Sequence, residues 1–596
     1  MLAALGIAMS IASSASAITL ADRSKTDYAI VVASNASAPE KTAAAELQTY
    51  LKQVTGADFA IKTEYEVTAT APKIFVGQSP SAKKLVLDVD WAALKSDGIV
   101  IRTVGNDLVL AGGQPRGTLY AVYTFLEDTV GVRWWTSSET DVPTKKTLRI
   151  PELNTVYAPK LISREAHYLD PDKNPLFAAK LRMNGNFYDI PAEYGGHVAF
   201  AGFVHTSYGL IPPAKYFEDH PEWFSLIDGK RTHDWAQLCW TNDEMRKELT
   251  RNALEWIRKD PNAGIISISQ NDCHNPCQCE KCQAIVKEEG SEAGPLLRCL
   301  NQVAEDIEKE FPNVYVETLA YQYTRKPPLH VKPRHNIIIR LCSIECDFSK
   351  PLEAGSVPQN KAFRDDILGW KAIAPNLFIW DYVTDFSRYL QPHPNMRVLA
   401  PNIRFFVDNN VIGLFEQGDS YTTTGDFIRL RTWLFGHLEW NPSADEKKLT
   451  KEFLNGYYGK AGPYLKQYLD LVHDAQAKSG KFMGCYNQDL SFLTLPVMNK
   501  ATELFAKAEQ AVAKDPVLAA RVRRERLSLD YAWLVRWKDL KKEAGKTNAE
   551  YAGPADPKKA SEEFIQLSRE WGNKFFSEGS PLDDHIAELE ALAKGK

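Results

Sequence analysis

Four carboxylates in the middle of the chain each follow a short apolar, β-branched run. Asp272 follows 264–269 in the string Gln270-Asn271-Asp272, and Glu345 follows 337–342. Asp381 follows 377–380, and Glu416 follows 411–415. A carboxylate directly after a buried strand is costly unless it is paired or used. Two carboxylates flanking a sugar ring can cleave a glycosidic bond, one protonating the leaving oxygen and the other stabilising or attacking the anomeric carbon. This pattern makes Asp272 the expected general acid/base and Glu416 the second carboxylate, with Glu345 and Asp381 holding substrate hydroxyls. Aromatic residues interleave with the acids: Trp240, Tyr321, Tyr323, Trp380, Tyr382, Phe386, Tyr389 and Tyr421. Any one of them alone reads as core, but recurrence beside acids suits stacking on pyranose faces. Tyr321, Tyr323 and Trp380 are the expected stacking platforms. A uronic acid substrate would instead need a cation, which Arg340 or Arg404 could supply.

Cys273, Cys277, Cys279 and Cys282 crowd into ten residues directly after Asp272. Cys-x2-Cys is half of a structural zinc site, and disulfide pairing is the competing account. Either would fix the loop after Asp272, and four thiolates around a metal leave no position for substrate. No catalytic metal and no cofactor are therefore expected. No G-x-S-x-G, P-loop, H-E-x-x-H or helix-opening G-x-G-x-x-G motif is present.

The elements that must position these groups are βα units. Over residues 153–440, strands at 264–269, 314–320, 337–342, 377–380 and 411–415 alternate with helical patterns such as 295–310 and 362–373. Weaker strands are expected at 161–167, 185–188 and 236–240. This rhythm implies an α/β fold with a central (β/α)8 TIM-like barrel, whose catalytic groups sit past the C-terminal strand ends. Residues 18–152 read as an N-terminal α+β domain, with helices marked by Ala43, Leu47, Leu51 and Val54 and by Leu119, Val122, Tyr123 and Leu126. Residues 441–596 read as a C-terminal helical domain without strands, and its Arg521, Arg523, Arg524 and Arg526 as a solvated helix face.

Residues 1–17 read as a signal peptide with Ala15-Ser16-Ala17 at the cleavage site, although no Lys or Arg precedes the apolar stretch. Export to the periplasm or the extracellular space is the resulting expectation. A chain of 596 residues needs several domains, and a net charge of −5 gives no reason to expect nucleic acid as partner. No segment is long and apolar enough to span a bilayer, so the expected partner is a glycan, free or on a glycoprotein.

Several separated motifs, in order, resemble one family. They are Ser267-Ile-Ser-Gln-Asn-Asp272, Cys277-Gln-Cys-Glu-Lys-Cys282, Leu319-Ala-Tyr-Gln-Tyr323 and Arg340-Leu-Cys-Ser-Ile-Glu-Cys346, followed by Ile379-Trp-Asp-Tyr382, Pro401-Asn-Ile-Arg-Phe-Phe406 and Leu414-Phe-Glu-Gln-Gly418. Across roughly residues 155–475 they resemble the domain-of-unknown-function family 4838, part of which forms glycoside hydrolase family 163. The N-terminal string Gly112-Gly113-x-x-Arg116-Gly117 resembles the accessory domain that precedes hexosaminidase and α-glucuronidase barrels. The resemblance implies an endo-β-N-acetylglucosaminidase acting on complex N-glycans by a retaining, substrate-assisted mechanism. Asn271 would then hold the substrate acetamide. α-Glucuronidase-like or exo-hexosaminidase activity, or a non-catalytic glycan-binding protein on a degenerate barrel, are the alternatives.

Overall fold

The computed structural model describes residues 17–594, so the expected signal segment lies outside the described residues except for Ala17. Its described residues form two compact units, one of 17–134, Ser138–Pro159 and Ile190–Gly196, the other of Trp135–Ser137, Lys160–Asp189 and 197–594.

The first unit is built on a six-stranded mixed sheet in the order Asn154–Tyr157, Ile99–Val104, Asp107–Gly112, Lys73–Val76, Ala29–Val32, Ala60–Thr63. The helix Ala38–Thr55 buries Ala43, Leu47, Leu51 and Val54. It opens with a capping box between Ser37 and Glu40, which satisfies orphan N–H groups of its first turn. The helix Gly117–Phe125 follows the sheet so closely that a Cβ on Gly112 or Gly117 would meet backbone at 2.3 or 2.2 Å. The glycines of the Gly112-Gly113-x-x-Arg116-Gly117 string are thus required by strand–helix approach.

The second unit carries seven parallel strands: β1 (Ser163–His167), β2 (Ala199–Ala201), β3 (Ala263–Ser267), β4 (Tyr315–Ala320), β5 (Ile337–Cys342), β6 (Leu377–Tyr382) and β7 (Val411–Gln417). Their order in the sheet is β1-β7-β6-β5-β4-β3-β2. Phe200 of β2 and Phe378 of β6, four strands apart, pack in one cluster with Ile265 and Ile338, which only a curled sheet permits. The architecture is therefore α/β and TIM-like, with seven laddered strands rather than eight. The expected strand 185–188 is irregular. In its place Asn184 joins the two edges: its N–H donates to the Arg164 carbonyl at 3.1 Å, and its carbonyl accepts from Val198 N at 2.8 Å. Its side chain also accepts from Arg164 N and donates to the Ile162 carbonyl, each at 3.0 Å.

The expected strand 236–240 is a loop whose single bridge joins Phe224 and Leu238. The helices after Trp440 include the 32-residue Pro516–Thr547. This region also contains a short antiparallel hairpin, Phe575–Ser577 with Ser580–Pro581, where only helices were expected. The arginine cluster is not simply solvated. Arg523 and Arg526 both pair with Asp530, and Arg521 lies over the Tyr457 ring. No described helix is long and apolar enough to cross a membrane.

Candidate active site

Alternation along the strands sorts the side chains onto two faces. Register pairs Phe378, Trp380 and Tyr382 of β6 with Gly413, Phe415 and Gln417 of β7, and these in turn with Ser163, Glu165 and His167 of β1. This is the concave face. A Cβ on Gly413 would strike the Phe378 ring at 2.4 Å, and that ring lies with Phe200 and Phe203 around the guanidinium of Arg340. The intervening residues Arg164, Asp381 and Glu416 face the helices instead. Arg164 lies 5.5 Å over Trp440, on the helix Ile428–Trp440.

This sorting separates the expected acids. Glu416 and Asp381 are register partners inside their strands on the helix side, 1% and 3% exposed, not at the rim. Burial, and then the nearby Asp381 and Glu439 carboxyls, push Glu416 well above the usual carboxylate range. Burial likewise raises Asp381, which accepts a hydrogen bond from the Ser343 hydroxyl at 2.5 Å. Asp272 is far better placed. It is exposed in the loop after β3, and its carboxylate acts on the phenol of Tyr321, whose pKa is raised by burial and then by Asp272.

Asn271 is the partly buried neighbour. Its N–H donates to Gln237 Oε1 at 2.9 Å, and its side-chain amide donates to the Ala236 carbonyl at 2.9 Å. Gln237 Nε2 in turn donates to the Asn271, Cys273 and His274 carbonyls at 3.1, 2.6 and 3.3 Å, so one buried amide sets the loop's path. A cleft of about 370 Å³ opens beside it, lined by Tyr208, His233, Trp235, Asn271 and Asp272. Trp235 is 80% exposed there, a flat apolar face next to the acid.

The other expected residues divide. Trp380 lies on the concave face, stacked on Tyr382 at 5.9 Å and edge-on to Phe415 at 4.9 Å, with its indole N–H on Gln417. Glu345 is at the rim but ion-paired to Arg325 at 2.8 Å. Tyr323 lies behind the rim, in a small pocket with Trp240, Cys277 and Cys282. Arg340 is 2% exposed and bonded to Glu317 at 2.8 Å, and Arg404 is held by the Pro442 and Ala444 carbonyls and by Glu446. Arg340 is thus engaged inside the sheet, whereas the Arg404 side chain is 38% exposed. Of the four cysteines expected to act together, Cys273 stands apart. The cluster is instead Cys239, Cys277, Cys279 and Cys282, and all nine cysteines are free of disulfides.

Three residues that the sequence reading did not single out complete the rim. Glu578, in the turn of the C-terminal hairpin, accepts a hydrogen bond from Gln417 Nε2 at 3.1 Å. Burial raises its pKa, against the opposing effects of Gln417 and His167. Its charge and that of Asp272 both act on the half-exposed phenol of Tyr486. His167, at the end of β1, pairs with Asp172 at 2.8 Å. Burial opposes its charge, yet Asp172, Glu165 and Glu578 outweigh that and raise its pKa. Glu165, one turn of the pleat below, is pushed up to about 7 by burial, against the N–H of Phe187 that donates to it at 2.5 Å. Phe187 lies tilted against the His167 ring at 4.5 Å and is 38% exposed.

Fold and site together define a TIM-like α/β protein whose concave rim is lined by acids and aromatic faces. A family model described as Domain of unknown function (DUF4838) matches residues 134–470, more than half of the chain, and the chain belongs to that family. A second model, described as Glycosyl hydrolase family 67 N-terminus, matches residues 17–125. No curated protein matches the sequence. Among solved structures, a family GH115 4-O-methyl-α-glucuronidase with specificity for decorated arabinogalactans aligns over 97% of this chain and 78% of its own, with TM-score 0.55 and 12% identity. A second, CpGH84D, aligns over 98% and 97%, with TM-score 0.49 and 10% identity. At these identities the likeness is one of fold.

Proposed function

We propose that this protein is a glycoside hydrolase that cleaves its substrate at the rim beyond β3, with Asp272 as general acid/base. The observation that carries this reading is the placement of Asp272: exposed just past β3, acting on the Tyr321 phenol, and lining one cleft with the open ring of Trp235. Trp235 offers a sugar an open ring face in the cleft that Asp272 lines, where a carboxyl can hand a proton to the leaving oxygen. Glu578 is assigned as the second carboxylate of the site from its place at the rim, where it accepts a hydrogen bond from Gln417 at the end of β7.

The finer reading is an exported endo-β-N-acetylglucosaminidase in which the substrate's acetamide attacks the anomeric carbon. Asp272 follows the third laddered strand, the fourth if the Asn184 segment fills a strand position and completes an eight-membered barrel. Asn271 then holds the acetamide through the part of its amide not bonded to Ala236. An α-glucuronidase is the second reading, suggested by the GH115 likeness. It is disfavoured because Arg340 is buried against Glu317 and Arg404 is ion-paired to Glu446. A thiazoline analogue of N-acetylglucosamine, tested on an extended glycan, separates the mechanisms. Competitive inhibition supports acetamide attack. A covalent 2-fluoro-sugar adduct on Glu578 or Asp272 would refute it.

A further inference from the structure

We propose that Cys239, Cys277, Cys279 and Cys282 bind one zinc ion as four thiolates, in a closed structural site that anchors the loop bearing Asp272. Their sulfur atoms all lie within 4.8 Å of one another. Cys239 Sγ is 3.7 Å from Cys279 Sγ and 3.9 Å from Cys282 Sγ. A tetrahedron with Zn–S bonds of about 2.3 Å sets its sulfurs about 3.8 Å apart. A disulfide needs about 2.05 Å, so one sulfur equidistant from two others fits a shared ion and not a bond.

The chain is shaped to present these four atoms. The Cys277-x-Cys279-x2-Cys282 spacing puts Cys279 at the N-cap of the helix Glu280–Glu289 and Cys282 in its first turn. Cys239 arrives from the loop that the Phe224–Leu238 bridge holds in place. Cys239, Cys277 and Cys282 are buried, and Leu226 packs against them.

Donors point at the sulfurs, as thiolates on a metal require. Leu226 N–H lies 3.3 Å from Cys277 Sγ, and Arg231 Nη1 lies 3.6 Å from it. Thr241 Oγ1 is 3.2 Å from Cys282 Sγ. The Arg231 cation offsets part of the double negative charge that four thiolates and Zn²⁺ carry. Four sulfur ligands select zinc or iron over hard cations, and leave no open position for substrate or water. Cys277 is five residues from Asp272, and Gln237, two residues from Cys239, bonds the carbonyls on both sides of Asp272. The site therefore ties together both loops that frame the acid.

The test is elemental analysis of the purified full chain. One zinc per chain is expected in the wild type and in Cys273→Ser, and less than a tenth of that in Cys239→Ser. If Cys239→Ser does not fold, cobalt-substituted wild type gives the decision through the intense visible absorption of tetrahedral thiolate-bound Co²⁺. Iron in place of zinc, a metal-free chain with four titratable thiols, a mapped disulfide within the cluster, or equal metal loss from Cys273→Ser would each overturn the proposal. Because metal content is read without substrate, its outcome is independent of the hydrolase reading.

Discussion

Arg340 is a useful place to separate binding from structure. It is one of two cations the sequence offers to an acidic sugar, yet it sits beneath the concave rim against Glu317 and three phenyl rings. Replacing Arg340 with Met should leave the fully buried Glu317 carboxylate without its cation. Breaking a buried pair in this way costs about 3–5 kcal/mol. With an unfolding entropy of roughly 2.1 cal/mol/K per residue, a unit of about 430 residues gives roughly 0.9 kcal/mol/K. The expected fall in melting temperature is therefore about 3–6 °C. The double variant Arg340→Met/Glu317→Met should recover most of that loss, since the orphaned charge goes with its partner. Calorimetry of the wild type, the single and the double variants at pH 7, beside hydrolysis rates, gives the reading. Unchanged melting with abolished hydrolysis, or no recovery in the double variant, would refute the structural assignment and reinstate Arg340 as a substrate ligand.

Asp272→Asn should lower turnover by about 10²–10⁴ without shifting the melting temperature, because the exposed side chain carries chemistry and not packing. Glu416→Gln should keep turnover within about twofold, as Glu416 is buried inside β7 on the helix side and the amide keeps its shape; a loss like that of Asp272→Asn would return Glu416 to the site. Glu165, whose pKa is raised to about 7, favours the folded state fully below the unfolded carboxyl value near 4.3. That stabilisation disappears as pH rises through about 7, a difference of ~4 kcal/mol. Glu165→Gln should flatten the stability profile between about pH 4.5 and 7 and melt higher than wild type at pH 8, and a parallel profile would contradict the shift.

Much of the scaffold was legible because runs of β-branched residues specify buried parallel strands. The run 337–342 coincides with β5, and helical spacing located Ala38–Thr55 and Gly117–Phe125. Face and phase were harder to read. β7 continues to Gln417 and β6 to Tyr382, so Glu416 and Asp381, expected just past strand ends, lie inside strands with their side chains toward the helices. One or two residues of strand length decide that difference, and apolar character cannot fix it. Asn184 replaced a ladder with side-chain bonds, which no periodicity reveals. Glu578 was missed because it reaches the rim from 161 residues beyond Gln417, on a hairpin within a helical region. The only local signal is Ser577-Glu578-Gly579-Ser580 between apolar residues and a proline. Trp235 needed the loop's shape to be seen as exposed. Cys239, far in sequence from the other cysteines, carried no spacing signal at all.

The central claim is that the rim joining Asp272 to Glu578 hydrolyses glycosidic bonds. Mass spectrometry of products from a glycan panel that includes complex N-glycans, run with wild type, Asp272→Asn and Glu578→Gln, tests it most directly. The account predicts glycan cleavage by the wild type, losses of at least about a hundredfold in Asp272→Asn and about tenfold in Glu578→Gln, and retained glycan binding by both folded variants. Wild-type turnover that survives in both variants would contradict it.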